Sequence, residues 1–291
     1  MRTKQLGVRE LFDIPLLEIS GLGQRPSSST RRMELLAVGD EDFTVVSATV
    51  ESSSSLSEFH IHHLKDVVSQ GDEDSSQWEA ADGDSTGRVF VLQESPGKVF
   101  ILDEELDRLL HTIDLSVEGI DRAEWERAPN ARGEGLVLLA NGHVVIAKEK
   151  EPPLLMEFGP EGEEASGIGP DLLLLERRRF PEPEATHIKH GVLTIWDLDA
   201  EAGEDIHDIS DVAVGPDERL YILSDESRCI ARVEHRLPAA QRKLSITAYW
   251  KLPEEIVQPE GLVLMDDMTP LVAVDRKERD RNLFVLEPLE D

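Results

Sequence analysis

Five acids stand out by type and spacing: Glu18, Glu79, Glu134, Asp208 and Glu260, separated by 61, 55, 74 and 52 residues. Each opens a similar unit, in which small and apolar residues are followed by two alternating apolar stretches split by a polar turn. Carboxylates that recur at one place in a repeated unit converge on one axis when the repeats close into a ring. Crowded and partly desolvated there, they repel one another or take up protons unless a cation neutralises them. Calcium suits such a set, because it accepts roughly six to eight oxygen ligands in loose geometry. The alternative is that some of these acids accept backbone hydrogen bonds from a neighbouring repeat or pair with bases.

A second set lies in the turns that follow the second stretch of each unit. Glu94, Lys148, Glu149, Asp225, Glu226 and Arg276 fall there, beside the acidic turn Asp40-Glu41-Asp42 of the first unit. They predict a rim of mixed charge at one end of the channel, suited to a polar or anionic ligand above a metal. The chain has no Ser-His-Asp set, nucleophile elbow, zinc-ligand spacing or phosphate-cradling glycine loop. An enzyme built on these residues would therefore work by metal-assisted chemistry, with a cation polarising a carbonyl or phosphoryl oxygen and activating water.

The elements that must position these residues are clearest in residues 208–233, DISDVAVGPDERLYILSDESRCIARV. Three short strands joined by Gly-Pro-Asp-Glu and Ser-Asp-Glu-Ser turns make a β-meander. The same grammar recurs after Trp78, Gly133 and Pro259, and more faintly after Glu18. Repeats near 50 residues, each a small antiparallel sheet, predict an all-β fold, a β-propeller of five blades closed by an N-terminal strand. A sixth blade hidden between Gly135 and Ile206 is the alternative. Residues 11–17 are expected either in the first blade or as the strand completing the last. Insertions are expected at about 51–77 and 159–190 within one domain spanning residues 1–291.

Three other features resolve into bland readings. His60, His62 and His63 alternate along an outer strand with no second ligand cluster nearby. Residues 82–87, DGDSTG, resemble half of a calcium loop, but the twelfth position from Asp82 is Gln93 where a bidentate Glu is required, so a tight hairpin is expected. Arg177, Arg178 and Arg179 form the one basic run, expected to face solvent among acids.

Sixty acids against thirty bases give a formal charge of −30, which argues against nucleic acid and anionic membranes as partners and favours cations. The single Cys229 sits in an expected strand as a core residue. The N-terminal stretch has no apolar run of signal-peptide length, so the expectation is a monomeric cytoplasmic protein, exported only if a leader has been removed.

The stretch 208–233 together with IVQPEGLVL and GEGLVLLANGHVVIAKEKEPPLLMEF resembles the SdiA-regulated family of bacterial β-propeller proteins over residues 16–288. That family is related to esterase-like phytase domains and, more remotely, to calcium-dependent lactonase and gluconolactonase propellers. The resemblance implies a closed propeller, a cation in the channel of at least some members, export, and no firmly assigned reaction. After its second strand, blade five shows Asp275-Arg276-Lys277 where the family usually has a Ser-Glu-Pro turn. Two functions stay open. One is a calcium-holding scaffold that binds a small polar molecule or protein at its rim; the other is a calcium-dependent hydrolase of lactonase, esterase or phosphodiesterase type, with Lys148 or Arg276 holding substrate.

Overall fold

The computed structural model describes residues 4–27, 32–53, 55–68, 75–118, 125, 132–175, 178–198 and 206–290. Ser54 of the serine run, the acids at 72–74 and Arg177 lie outside the described residues. The second strands Val89–Gln93, Val144–Lys148, Leu220–Ser224 and Pro270–Val274 are buried at every position. Strands covered on both faces read as continuous runs of aliphatic and aromatic residues rather than as alternation, which is why VFVLQ, VVIAK and LYILS carry so little polar punctuation.

Each second strand pairs antiparallel with a first strand on one side and a third on the other. The first strands Ile19–Pro26, Trp78–Gly83, Gly135–Leu138, Asp211–Val214 and Pro259–Leu264 touch one another in that order, and the last touches the first. Among the described residues there are thus five antiparallel units, called blades one to five, around a common axis. Five apolar clusters fill the wedges between adjacent blades. Between blades three and four, for example, Val145, Leu155 and Trp196 meet Val212, Ile222 and Ala231. The chain is a β-propeller. No described helix is long and apolar enough to cross a membrane.

Closure uses more of the N-terminus than the sequence suggested. Val8–Phe12 completes blade five by pairing antiparallel with Leu283–Leu286. Lys4–Gln5 pairs in parallel with Trp250 and Lys251 at the outer edge of blade four. Residues 13–17 then cross to blade one, held by Asn282, whose Oδ1 accepts from Ile14 N at 2.8 Å and whose Nδ2 donates to Ile14 O and Leu16 O at 2.9 and 3.1 Å. The interval expected to hold an insertion contributes one long strand, His187–Leu198. It is the fourth strand of blade three, and its first half pairs in parallel with Leu109–Ser116 of blade two.

Asn282 is buried, so Asn282→Ala takes the side-chain partner from Ile14 N and Leu16 O, while Ile14 O keeps its bond from Leu16 N at 2.8 Å. At about 1–3 kcal/mol for a buried unsatisfied group, partly relieved by water, the variant is expected to lose about 2–4 kcal/mol in urea unfolding. A loss under about 0.5 kcal/mol would show that this crossing does not hold the ring closed.

Candidate functional site: an acidic channel mouth

Each first strand carries an irregularity near its start. In blades one, two and five the register slips between Ile19 and Gly21, Trp78 and Ala80, and Pro259 and Gly261, so Ser20, Glu79 and Glu260 are bulged residues. Glu134 in blade three and Ser210 in blade four take the corresponding place, donating their N–H to Ala147 O and Leu223 O ahead of the paired residues Gly135 and Asp211. Bulges re-aim a side chain out of the pleat. Three carboxyls and two hydroxyls therefore occupy equivalent positions around the axis.

Glu18 and Asp208 stand two residues earlier. Glu18 has φ 47°, and its counterparts are Gln77 at 49° and Gln258 at 52°, all in the left-handed region. Asp208 is buried and spent on the turn of blade four. Its carboxylate accepts Asp225 N at 3.0 Å, Glu226 N at 3.2 Å, Ser210 Oγ at 3.3 Å and the Ser224 hydroxyl. The small residue after the bulge is the signal that would have aligned the repeats correctly. Gly21, Gly135 and Gly261 lie where a Cβ would come within 2.3, 2.7 and 2.6 Å of the adjacent blade.

The rim of turns expected from the sequence is present, and it contains a complete ring of acids that reads in the sequence as mixed charge. The residue directly after the second strand is an acid in all five blades: Asp40, Glu94, Glu149, Asp225 and Asp275. Inter-blade backbone bonds fix this level, with Gln77 N donating to Asp40 O at 2.7 Å, Ile209 N to Glu149 O at 2.8 Å and Glu18 N to Arg276 O at 2.9 Å. The expected rim residues distribute around it. Glu226 is exposed beyond Asp225, while Lys148 is fully buried beneath the ring and donates to Lys150 O. Arg276 lies one residue past the ring at Asp275, half-buried.

These two levels act on one another electrostatically. Burial, then the charges of Glu94, Asp40 and Glu149, push the Glu79 carboxyl up to about 8. Burial, then Glu79, Glu149, Glu260 and Glu94, raise Glu134 well above the ordinary carboxylate range. Glu260 is raised likewise by burial and by Asp225, Glu149, Glu79 and Asp275. Asp40 reaches about 6 through burial and through Glu18, Glu41 and Asp275. Besides the buried Lys148, bases stand at the margin, with Lys150 Nζ 2.7 Å from Glu149 Oε1 and Lys277 Nζ 3.5 Å from Glu18 Oε1, and the backbone N–H of Arg132 donates to Glu94 Oε1 at 3.0 Å.

The donor set is all oxygen, the preference of a hard cation. Asp40 and Asp275 each bury a carboxylate oxygen that has no hydrogen-bond partner, and Glu18, Asp40 and Glu41 each place one oxygen within 4.8 Å of the others. The half-calcium loop, by contrast, is a hairpin. Asp84 there binds Arg88 Nη2 at 2.6 Å and Thr86 Oγ1 at 2.6 Å.

A family model described as SdiA-regulated matches residues 85–276. The chain belongs to the SdiA-regulated family. Among solved structures, this SdiA-regulated chain is similar to glutaminyl cyclase of Myxococcus xanthus, with a TM-score of 0.53, 10% identity and 100% of each chain covered. It is similar also to the calcium-binding protein regucalcin of Agrobacterium tumefaciens, with a TM-score of 0.53, 13% identity and 100% of each chain covered. The PQQ-bound aldose sugar dehydrogenase of Streptomyces coelicolor gives a TM-score of 0.50 and 11% identity over 97% of this chain and 98% of that one. At such identities the likeness concerns the fold alone. No curated protein matches the chain in sequence.

An acid whose folded pKa lies above its unfolded value keeps its proton in the folded state, so folding stability falls as pH rises between the two values. For Glu79 that interval runs from 4.5 to about 8. In chelator-treated protein, the melting temperature is expected to fall as pH is raised across it, and Glu79→Gln should flatten the slope. An unchanged slope in that variant would remove Glu79 from the coupled set.

Proposed function

We propose that the acidic mouth holds a hard divalent cation, calcium, and that the chain is a binding propeller whose rim docks a small polar molecule or a protein. Glu79, Glu134 and Glu260 are its central ligands. Glu18, with Asp40 and Glu41, offers oxygens nearer the rim. Asp208 shapes the turn that presents Asp225 and Glu226. Glu94, Glu149, Lys148 and Arg276 complete the docking face. The observation that carries this reading is the convergence of the bulge acids with the five strand-end acids. After burial, the largest influences on Glu134 are the negative charges of Glu79, Glu149, Glu260 and Glu94, so a cation placed among them would favour the folded state.

Calcium binds only the assembled ring, so it should raise the melting temperature, adding about 2.7 kcal/mol at a hundredfold excess over its dissociation constant. Chelation should reverse the gain. Glu134→Gln removes one ligand charge and one repelling charge together. It is expected to weaken calcium binding in titration calorimetry while stabilising the metal-free protein at high pH, where the carboxyl is ionised. Calcium that leaves the melting curve unmoved, with Glu134→Gln neutral in both conditions, would sink the cation reading.

A calcium-dependent hydrolase is the second reading, and one observation favours it. With calcium held by Glu134 and Glu260, the Glu79 carboxyl, at about 8 in the metal-free protein, would be the group placed to move a proton near neutral pH as a general acid or base must. Lactones, aryl esters and phosphodiesters assayed with and without calcium separate the two readings. Calcium-dependent turnover abolished by Glu79→Gln would establish hydrolysis; calcium binding without turnover leaves the scaffold.

A further inference from the structure

At the end of the channel opposite the acids, a segment described over residues 160–175 and 178–182, here called the plug, crosses blade three. Leu174 and Leu175 from this segment line a cavity of about 80 Å³ there with Leu22, Leu136, Val212 and Leu262. Backbone bonds from Leu174 N to Leu138 O at 3.0 Å and from Ala140 N to Leu172 O at 2.7 Å seat the middle of the plug. Its trailing end is fixed by Asp84, which accepts Phe180 N at 3.1 Å and binds Arg88, itself a donor to Phe180 O.

The leading end is held differently, around a histidine. His143 and Glu157 are 1% and 0% exposed, and His143 Nδ1 lies 2.6 Å from Glu157 Oε1. On the other side of the ring, Nε2 lies 2.9 Å from Oε2 of Glu163, whose side chain is 54% exposed. Glu157 also accepts Ser166 N at 2.8 Å, Ser166 Oγ at 2.6 Å and Gly167 N at 2.9 Å. An ionised carboxylate only accepts, so an imidazole bonded to one at each nitrogen must carry both protons.

We propose that His143 is a pH-sensitive clamp: its imidazolium docks the leading segment of the plug, residues 163–165, onto blade three, and loss of its proton releases Glu163. A neutral ring keeps one N–H. Glu157 is buried and held by three further donors, so that proton stays on Nδ1. The Nε2 lone pair then faces a carboxylate with open access to water, and Glu163 turns outward.

The charged groups around the ring agree with this. Glu157 comes from the partner strand, Glu163 from the plug, and His190 from the strand His187–Leu198. Burial, then the charge of His143, lowers His190 to about 4, so His190 stays neutral in the working range. Burial alone would lower His143 as well, but its hydrogen bonds to Glu157 and Glu163 outweigh that and hold it above 6.5. The stability it adds is therefore complete below about 6.5 and is lost as pH rises through the folded value.

The test is an NMR titration of the His143 ring together with amide hydrogen exchange on the full-length chain, corrected for intrinsic rates. His143 should titrate above the ordinary histidine value. Across that midpoint the amides of residues 163–165 should exchange about tenfold faster, the loss of one charge-assisted bond. Glu163→Gln, on an exposed side chain that folding does not need, should lower the midpoint and remove the pH step in exchange. A midpoint at or below the ordinary value, or an exchange step that persists unchanged in Glu163→Gln, overturns the clamp.

Discussion

The five first strands meet so closely at the axis that side chains beyond hydrogen are excluded at several points. A Cβ on Gly21 would lie 2.3 Å from Glu79 O, and one on Gly23 1.9 Å from Ala81 O. That approach lets adjacent blades exclude water from the wedges between them, where the five apolar clusters lie. It also decides where polar chemistry can go. The backbone bulges just before the tight stretch, and the bulged residue is the one that can turn into the channel. The acids of the mouth follow from ring closure rather than from a separate design.

Placing acids there has a cost that magnitudes make plain. Two unit charges about 4 Å apart repel by about 4 kcal/mol at an effective dielectric constant near 20. A folded domain is stable by only about 5–15 kcal/mol in total. Three bulge acids and five strand-end acids therefore cannot all remain ionised without compensation. Protons are one remedy, and burial first and the neighbouring acids second raise the pKa values of Glu79, Glu134 and Glu260 accordingly. A cation is the other, and the two compete for the same oxygens. Cation affinity should accordingly rise with pH over the range in which metal-free stability falls.

The sequence displayed the fold readily because a strand buried on both faces must be apolar throughout, and LYILS, VVIAK and VFVLQ are. It displayed the site less well, for a geometrical reason. A bulge adds one residue whose only mark is the small residue that often follows it, so aligning on the nearest acid placed Glu18 and Asp208 beside Glu79, Glu134 and Glu260. The backbone pairs these last three with Ser20 and Ser210. The strand-end ring was visible in Glu94, Glu149, Asp225 and the acidic turn at Asp40, but the bases beside Glu149 and Asp275 made the whole look like a rim of mixed charge. The parallel pairing of Lys4–Gln5 with blade four left no signal, since a two-residue edge strand needs no periodicity.

The two ends of the channel carry different burdens. Deeper than the mouth, Asp211 is buried and raised well above its ordinary pKa by burial, although the N–H groups of Leu262, Val212 and Leu22 lower it. Its Oδ2 accepts Leu262 N from blade five at 2.7 Å, and Leu22 belongs to blade one. One carboxyl of blade four thus stitches two other blades at the axis. Asp82, pushed by burial to about 7, lies two residues further along its strand than the position equivalent to Asp211, on the cavity lined by Leu22, Leu136, Val212 and Leu262. A cation drawn past the mouth would have to displace these backbone donors from Asp211 and would meet leucines beyond. The axis thus changes character below Glu79, Glu134 and Glu260, from carboxyls that mainly face other acids to a carboxyl held by the backbone of two neighbouring blades.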